Sequence, residues 1–190
     1  VSGGMYFNTG VGLVSGNLTH SNGGWGIQVD SPGTRVESNT SYGNSSGIYG
    51  SGATIGSTDL SLGRGNLVYG NFNIGIQSGG GGMVAGNVVR DQIAVNSTGI
   101  SLFANSSAHF NVVSGNQTGI GSSGGSLRGN RVYNNTGDGI NAYGTVFENV
   151  VYSNAVGLRV SQSAVTNNLI YDNTAQGVLV AGSANTSLVN

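Results

Sequence analysis

The chain has 190 residues, 36 of them glycine, and only 7% are charged: six arginines, no lysine and seven acids, for a net charge of −1. So little basic charge excludes the phosphate-tracking surface of a nucleic-acid binder and a polybasic membrane anchor. No apolar run reaches the length of a membrane span, zero cysteine excludes disulfides and thiolate metal sites, and regularly recurring hydrophobic residues argue against disorder.

Taken in chain order, the elements repeat. Met5, Tyr6, Asn8 and Gly12-Leu13 hold places that recur later, so the opening segment reads as a truncated coil. Two asparagines five residues apart then mark each coil: Asn17 and Asn22, Asn39 and Asn44, Asn66 and Asn71, Asn111 and Asn116, Asn130 and Asn135, Asn149 and Asn154, Asn168 and Asn173. Asn87 starts an eighth copy with Gln92 in the second place and a small insertion over Asp91–Asn96. Gly50–Gly65 reads as the one longer excursion. After each second Asn comes glycine and an aliphatic residue, as in Gly26-Ile27, Gly119-Ile120 and Gly177-Val178. Three residues before most first asparagines stands an apolar residue: Val14, Val36, Val84, Leu127, Val146 and Val165.

The spacing between first asparagines is 22, 27, 21, 24, 19, 19 and 19 residues. Nineteen residues are too few for two helices and their turns, and Gly, Asn, Ser and Val are poor helix formers. Three short strands joined by tight turns fit. Within a copy the inward positions alternate, as strands require, and stacked coils bury a continuous apolar column that no single coil could bury alone. Gly and Asn are expected at the corners, where positive φ is needed. Asparagines at equivalent places, among them Asn22, Asn44, Asn71, Asn116, Asn135, Asn154 and Asn173, stack into an amide ladder. The expectation is an all-β, right-handed parallel β-helix of eight or nine coils of 19–27 residues, one domain over 1–190. Eight coils at about 4.8 Å each make it roughly 38 Å long. Neither terminus offers an amphipathic cap, so the chain reads as a segment of a longer β-helix or a unit that stacks end to end.

Runs such as Gly129-Asn130-Arg131-Val132-Tyr133-Asn134-Asn135 followed by Gly139-Ile140 resemble the parallel β-helix repeat of the pectin-lyase-like superfamily. That superfamily includes pectate lyases, mannuronan epimerases, periplasmic copper-site-maturation proteins, phage tailspikes and surface proteins. The resemblance covers the whole chain and implies fold rather than chemistry. It implies, for an enzyme, a uronate substrate with Lys, Arg, His and Tyr as catalytic parts and often Ca2+. Lysine is absent here, and the nearest match to the epimerase-type Asp-Pro-His motif, Asp30-Ser31-Pro32, lacks the histidine.

Stacking places equivalent residues side by side. Two residues before the first asparagines the stripe reads Ser15, Glu37, Arg64, Ala85, His109, Arg128, Phe147, Thr166. Glu37 and Arg64 read as a surface ion pair of little worth. His109 beside Arg128 is the most enzyme-like couple, a potential base next to a carboxylate clamp, although an exposed pair without catalytic work is the commoner outcome. His20 and His109 are too few for a protein zinc or copper site, the acids are too scattered for a calcium cage, and Gly79–Gly82 lacks the Lys-Ser/Thr of a phosphate loop. No metal or cofactor is expected. Three residues after the first asparagines lies an outer stripe of His20, Tyr42, Tyr69, Arg90, Ser114, Tyr133, Tyr152 and Tyr171, beside Leu18, Leu67, Val88, Val150 and Leu169. It reads as good strand formers stacked on one another, as a surface for association, or as a tyrosine platform for sugar rings.

The regular repeat and the lack of a convergent ionisable cluster favour a non-catalytic extracellular or cell-surface scaffold, a stalk, adhesin or filament subunit that associates with itself. The alternative is a uronan lyase or epimerase-like module, or a carbohydrate-binding β-helix with polysaccharide as partner.

Overall fold

The computed structural model describes residues 3–182 and 185–189. The ends of the expected domain, Val1 and Asn190, lie outside the described residues. The architecture is an all-β right-handed parallel β-helix with three faces. Face 1 contains Met5–Phe7, Trp25–Val29, Ser46–Ser51, Ile74–Gly79, Thr98–Leu102 and Gln176–Val180. Face 2 contains Leu13–Ser15, Arg35–Glu37, Thr54–Gly56, Met83–Ala85, Ser107–His109 and Ser187–Val189. Three long strands, Thr118–Arg128, Asp138–Phe147 and Val156–Thr166, turn the corner and serve both faces. Face 3 is a separate sheet of eight strands, from Leu18–His20 to Leu169–Tyr171. Every pairing is parallel, each coil lying on the next. No helix among the described residues is long and apolar enough to cross a membrane.

The core is the column that the alternation implies. Ile27, Ile48, Ile76, Ile100, Ile120, Ile140 and Leu158 stack behind face 1, and Val68, Val89, Val113, Val132 and Val151 behind face 3, all fully buried. Val36, Ile55, Val84, Ala108, Leu127 and Val146 do the same behind face 2. Each such side chain contributes about 1.5–3 kcal/mol by leaving water.

Two amide ladders run along the axis. In the ladder that begins at Asn17, the Oδ1 of each asparagine accepts from both the backbone N–H and the side-chain amide of its predecessor, for example Asn111 onto Asn130 at 3.0 Å for both bonds. The ladder from Asn22 to Asn173 works alike, with Asn135 onto Asn154 at 3.0 and 2.9 Å. Gln92 stands in this ladder between Asn71 and Asn116, accepting from the Asn71 N–H at 2.9 Å.

The corners fall one residue before the ladder asparagines, where φ is positive at all but Asn66; Gly16, Gly129, Asn134 and Asn167 hold such places as expected, and so do the bulkier Phe110 (φ 58°) and Glu148 (φ 57°). The glycine of each Gly-aliphatic pair has a different cause. A Cβ on Gly119 would collide with the Gly139 carbonyl and the Val132 side chain, so close approach of coils requires it.

The excursion is also shorter than expected. Thr54–Gly56 is a regular face 2 strand, paired with Met83–Ala85, and only residues 57–65 leave the coil, through a 3-10 turn at Leu60–Leu62. Gly56, not Arg64, therefore occupies the rung next to Ala85. Arg64 still reaches Glu37 at 4.0 Å, as does Arg35, but Glu37 is buried rather than on the surface.

Candidate functional site

Face 2 brings His109 and Arg128 onto adjacent rungs in register. The two side chains do not converge on a common ligand. Arg128 donates from Nε to Glu148 Oε2 at 2.9 Å, and its guanidinium lies over the Phe110 and Phe147 rings at 5.9 and 5.3 Å. Nε2 of His109 is buried without a hydrogen-bond partner. Burial first, and the Arg128 charge second, lower the histidine pKa, which favours a neutral imidazole at neutral pH. The pair is thus an arginine already neutralised and a base whose Nε2 faces protein. Among the described residues, no three His, Asp or Glu gather in a group that could hold a metal ion.

Face 3 carries the tyrosine stripe. His20, Tyr42 and Tyr69 stack with centroids 5.1 Å apart, and the Arg90 guanidinium covers Tyr69 at 5.0 Å. Tyr133, Tyr152 and Tyr171 form a second stack at 5.1 and 4.9 Å with rings 5° from parallel. Arg131 donates to the Tyr152 hydroxyl at 3.0 and 2.6 Å and lies over Tyr133. Arg90 is paired with Asp91 at 2.6 Å. Rings this close cover one another's faces, so the interior members present only edges and hydroxyls. A sugar that packs its C–H face on an aromatic ring needs an uncovered face, and this stripe offers few.

Such faces occur on face 1. There the outward side chains form two rows along the axis. One row runs Gln28, Tyr49, Gln77, Ser101, Gly121, Asn141, Arg159, every step fixed by strand register. The next row includes Ser123 paired with Tyr143, and Phe103 follows directly on Leu102, whose partner is Ser122. Phe103 and Tyr143 thus flank Ser123 from the coils on either side. Each residue is 48% exposed. Between them lies a shallow groove of about 240 Å³, floored by Ser101, Gly121, Ser122 and Asn141. Gly121 makes the groove: a Cβ there would meet only the Thr98 methyl, at 3.9 Å, so the missing side chain leaves open space. A larger cavity of about 360 Å³ lies under the last coils among Val165, Ile170, Val178 and Leu188. It is lined mainly by apolar side chains and has few groups to orient a ligand.

The sequence reading missed Phe103, Gly121, Asn141 and Tyr143. The signal lies one and three residues past each Gly-aliphatic pair, where strand alternation turns side chains outward: Gly121 and Asn141 at the first place, Phe103 and Tyr143 at the second.

No protein-family model matches the chain, and no curated protein matches it either. Among solved structures, pectate lyase Pel9A superposes with a TM-score of 0.55 at 14% identity, over 87% of this chain and 55% of that one. The chain therefore spans about half the length of that enzyme. The likeness is one of fold, a right-handed parallel β-helix in both chains. This similarity corrects the expectation of a non-catalytic stalk, adhesin or filament subunit: the solved chain that shares the coil is a pectate lyase, which favours the alternative, a polysaccharide-active or carbohydrate-binding module.

Proposed function

From this right-handed parallel β-helix of the pectin-lyase-like kind, we propose a protein that recognises polysaccharide outside the cell or at its surface. The glycan lies along the coil axis on face 1, over the groove between Phe103 and Tyr143. The observation that carries the reading is the pair of half-exposed rings held two coils apart over a polar floor. Two coil spacings are about 10 Å, close to the repeat of a disaccharide in an extended glycan. The C–H faces of two sugar residues pack on the rings, and their hydroxyls meet the Ser101 and Ser123 hydroxyls and the Asn141 amide, which can both donate and accept.

Affinity electrophoresis or calorimetry against a panel of plant and microbial polysaccharides tests this. Phe103→Ala and Tyr143→Ala are each expected to weaken binding by about tenfold, as loss of an aromatic anchor does, and Gly121→Val to abolish it by filling the groove. Wild-type affinity in all three variants would refute the site. Release of unsaturated ends from polygalacturonate, lost in His109→Ala, would instead move the reading to lyase chemistry on face 2, where His109 and Arg128 share a register. Self-association belongs on face 3, where Leu18, Leu67 and Leu169 are exposed; light scattering of the wild type against Leu67→Asp checks it.

A further inference from the structure

The rows that form the groove continue toward the first coils and meet a second aromatic cluster there. The rings of Trp25 and Tyr49 lie 5.5 Å apart at 45°. Tyr6 is 60% exposed, and the neighbouring Asp30 carboxylate, which favours the protonated phenol, raises its pKa. Gln28 donates from Nε2 to Asp30 Oδ2 at 2.9 Å. A cavity of about 260 Å³ opens beside Tyr6, Trp25 and Gln28.

Register puts this cluster in line with the groove. Gln28 pairs with Tyr49, Tyr49 with Gln77, Gln77 with Ser101 and Ser101 with Gly121. Tyr49 is thus three coil spacings from Gly121, about 14 Å. In the adjacent row, Ser51 pairs with Gly79, and a Cβ on Gly79 would meet nothing, so no large side chain rises between the clusters in that row.

The charges on this face are few and telling. Its ionisable outward groups, tyrosines aside, are Asp30, Asp138 and Arg159. The arginine is held by Asp138, Nε to Oδ2 at 2.7 Å, and no described arginine lies within ion-pair distance of Asp30. A uronate chain laid here would meet carboxylates with no free cation, and like charges across an interface oppose association. An uncharged sugar meets two aromatic clusters and an acceptor-only carboxylate suited to its hydroxyl protons.

We propose that Tyr6, Trp25, Gln28, Asp30 and Tyr49 form a second subsite of one continuous track on face 1, and that the glycan it takes is uncharged rather than a uronan. The proposal rests on the reading of face 1 as a polysaccharide surface. The test compares galactomannan and xyloglucan with polygalacturonate and alginate in affinity electrophoresis, using the wild type, Trp25→Ala, Asp30→Arg and Phe103→Ala, each checked for fold by circular dichroism. The expected result is retardation by a neutral polymer, indifferent to added salt. Trp25→Ala and Phe103→Ala should each weaken it by about tenfold, and Asp30→Arg should shift preference toward the uronans. Stronger retardation by uronans than by neutral polymers, or wild-type binding in Trp25→Ala alongside loss in Phe103→Ala, would overturn the second subsite and its specificity while leaving the groove intact. Retardation by none of the four would overturn both.

Discussion

Replacing Asn130 with alanine measures what the amide ladder is worth. Asn130 is fully buried. Its Oδ1 accepts from the Asn111 N–H and the Asn111 side-chain amide, both at 3.0 Å, and its Nδ2 donates to the Ala108 carbonyl at 2.8 Å and Asn149 Oδ1 at 3.0 Å. Alanine removes all four bonds. Asn149 Oδ1 keeps the Asn130 backbone N–H, and the Asn111 amide keeps the Val84 carbonyl. The Asn111 backbone N–H is left buried without its acceptor. One orphaned donor costs about 1–3 kcal/mol and each of the other bonds about 0.5–1.5, so a loss near 4 kcal/mol is expected. Asn17 is the control. It donates to Asn39 Oδ1 and the Ser15 carbonyl, but at the start of its ladder no side-chain amide donates onto it among the described bonds. Asn17→Ala should cost about 1 kcal/mol. In a chain of this size each kcal/mol moves the melting midpoint by about 2–4 °C, so thermal circular dichroism should show a drop of about 10 °C or more for Asn130→Ala against a few degrees for Asn17→Ala. Equal shifts would mean that the ladder follows the stacking of coils and does not stabilise it.

Four further outcomes follow from the same geometry. Tyr152→Ala loses two ring contacts and the Arg131 hydrogen bonds, whereas Tyr171→Ala loses one ring contact; with each stacked pair worth about 0.5–1.5 kcal/mol, urea midpoints should fall further for Tyr152. Ser114 interrupts the face 3 stack between Arg90 and Tyr133, so Ser114→Tyr should raise stability by roughly 0.5–1 kcal/mol. The lowered pKa of His109 means that the unfolded chain binds its proton first as pH falls. Stability should therefore decline as pH drops from about 6.5 toward the folded-state value, and His109→Gln should flatten that part of the curve measured by urea unfolding. Gly119→Ala should cost several kcal/mol by forcing adjacent coils apart, while Gly121→Ala, which meets only a methyl group, should leave the melting midpoint near that of the wild type.

The fold was legible because it is written in period and alternation. The spacing of the asparagines gave the coil, and the apolar residue two places after them gave the inward face; Val68, Val113, Val132 and Val151 are all fully buried as that alternation requires. The ladder followed from the same spacing. What failed was local. Counting back from Asn66 placed Arg64 on a strand, because the count could not see that residues 57–65 leave the coil after Gly56. Counting also gave His109 and Arg128 as neighbours, which they are, but register says nothing of where a long side chain turns, and Glu148 takes the guanidinium. The face 1 groove was hidden for the opposite reason. It depends on a side chain that is absent, at Gly121, and on rings that flank the gap from the coils above and below.

A solenoid of this kind separates stability from recognition. The inward column, the ladders and the close-packed glycines leave little freedom, whereas the outward side chains of a strand are almost unconstrained by the coil. Face 3 uses that freedom to stack aromatics on one another, which fills their faces and ties them to stability. At its groove face 1 spaces its rings apart, with Phe103 and Tyr143 two coils from each other and small residues between, and where Trp25 and Tyr49 do meet they are tilted by 45° rather than parallel. The same residue types thus serve opposite ends according to one variable, the interval between rings along the axis. Adjacent rungs give a closed stack, and alternate rungs give open faces with a gap about one ring deep. A ligand built of repeating rings finds uncovered faces where rings stand apart or tilt and none inside a parallel stack, so face 1 rather than the longer tyrosine stripe is where a polysaccharide should be sought.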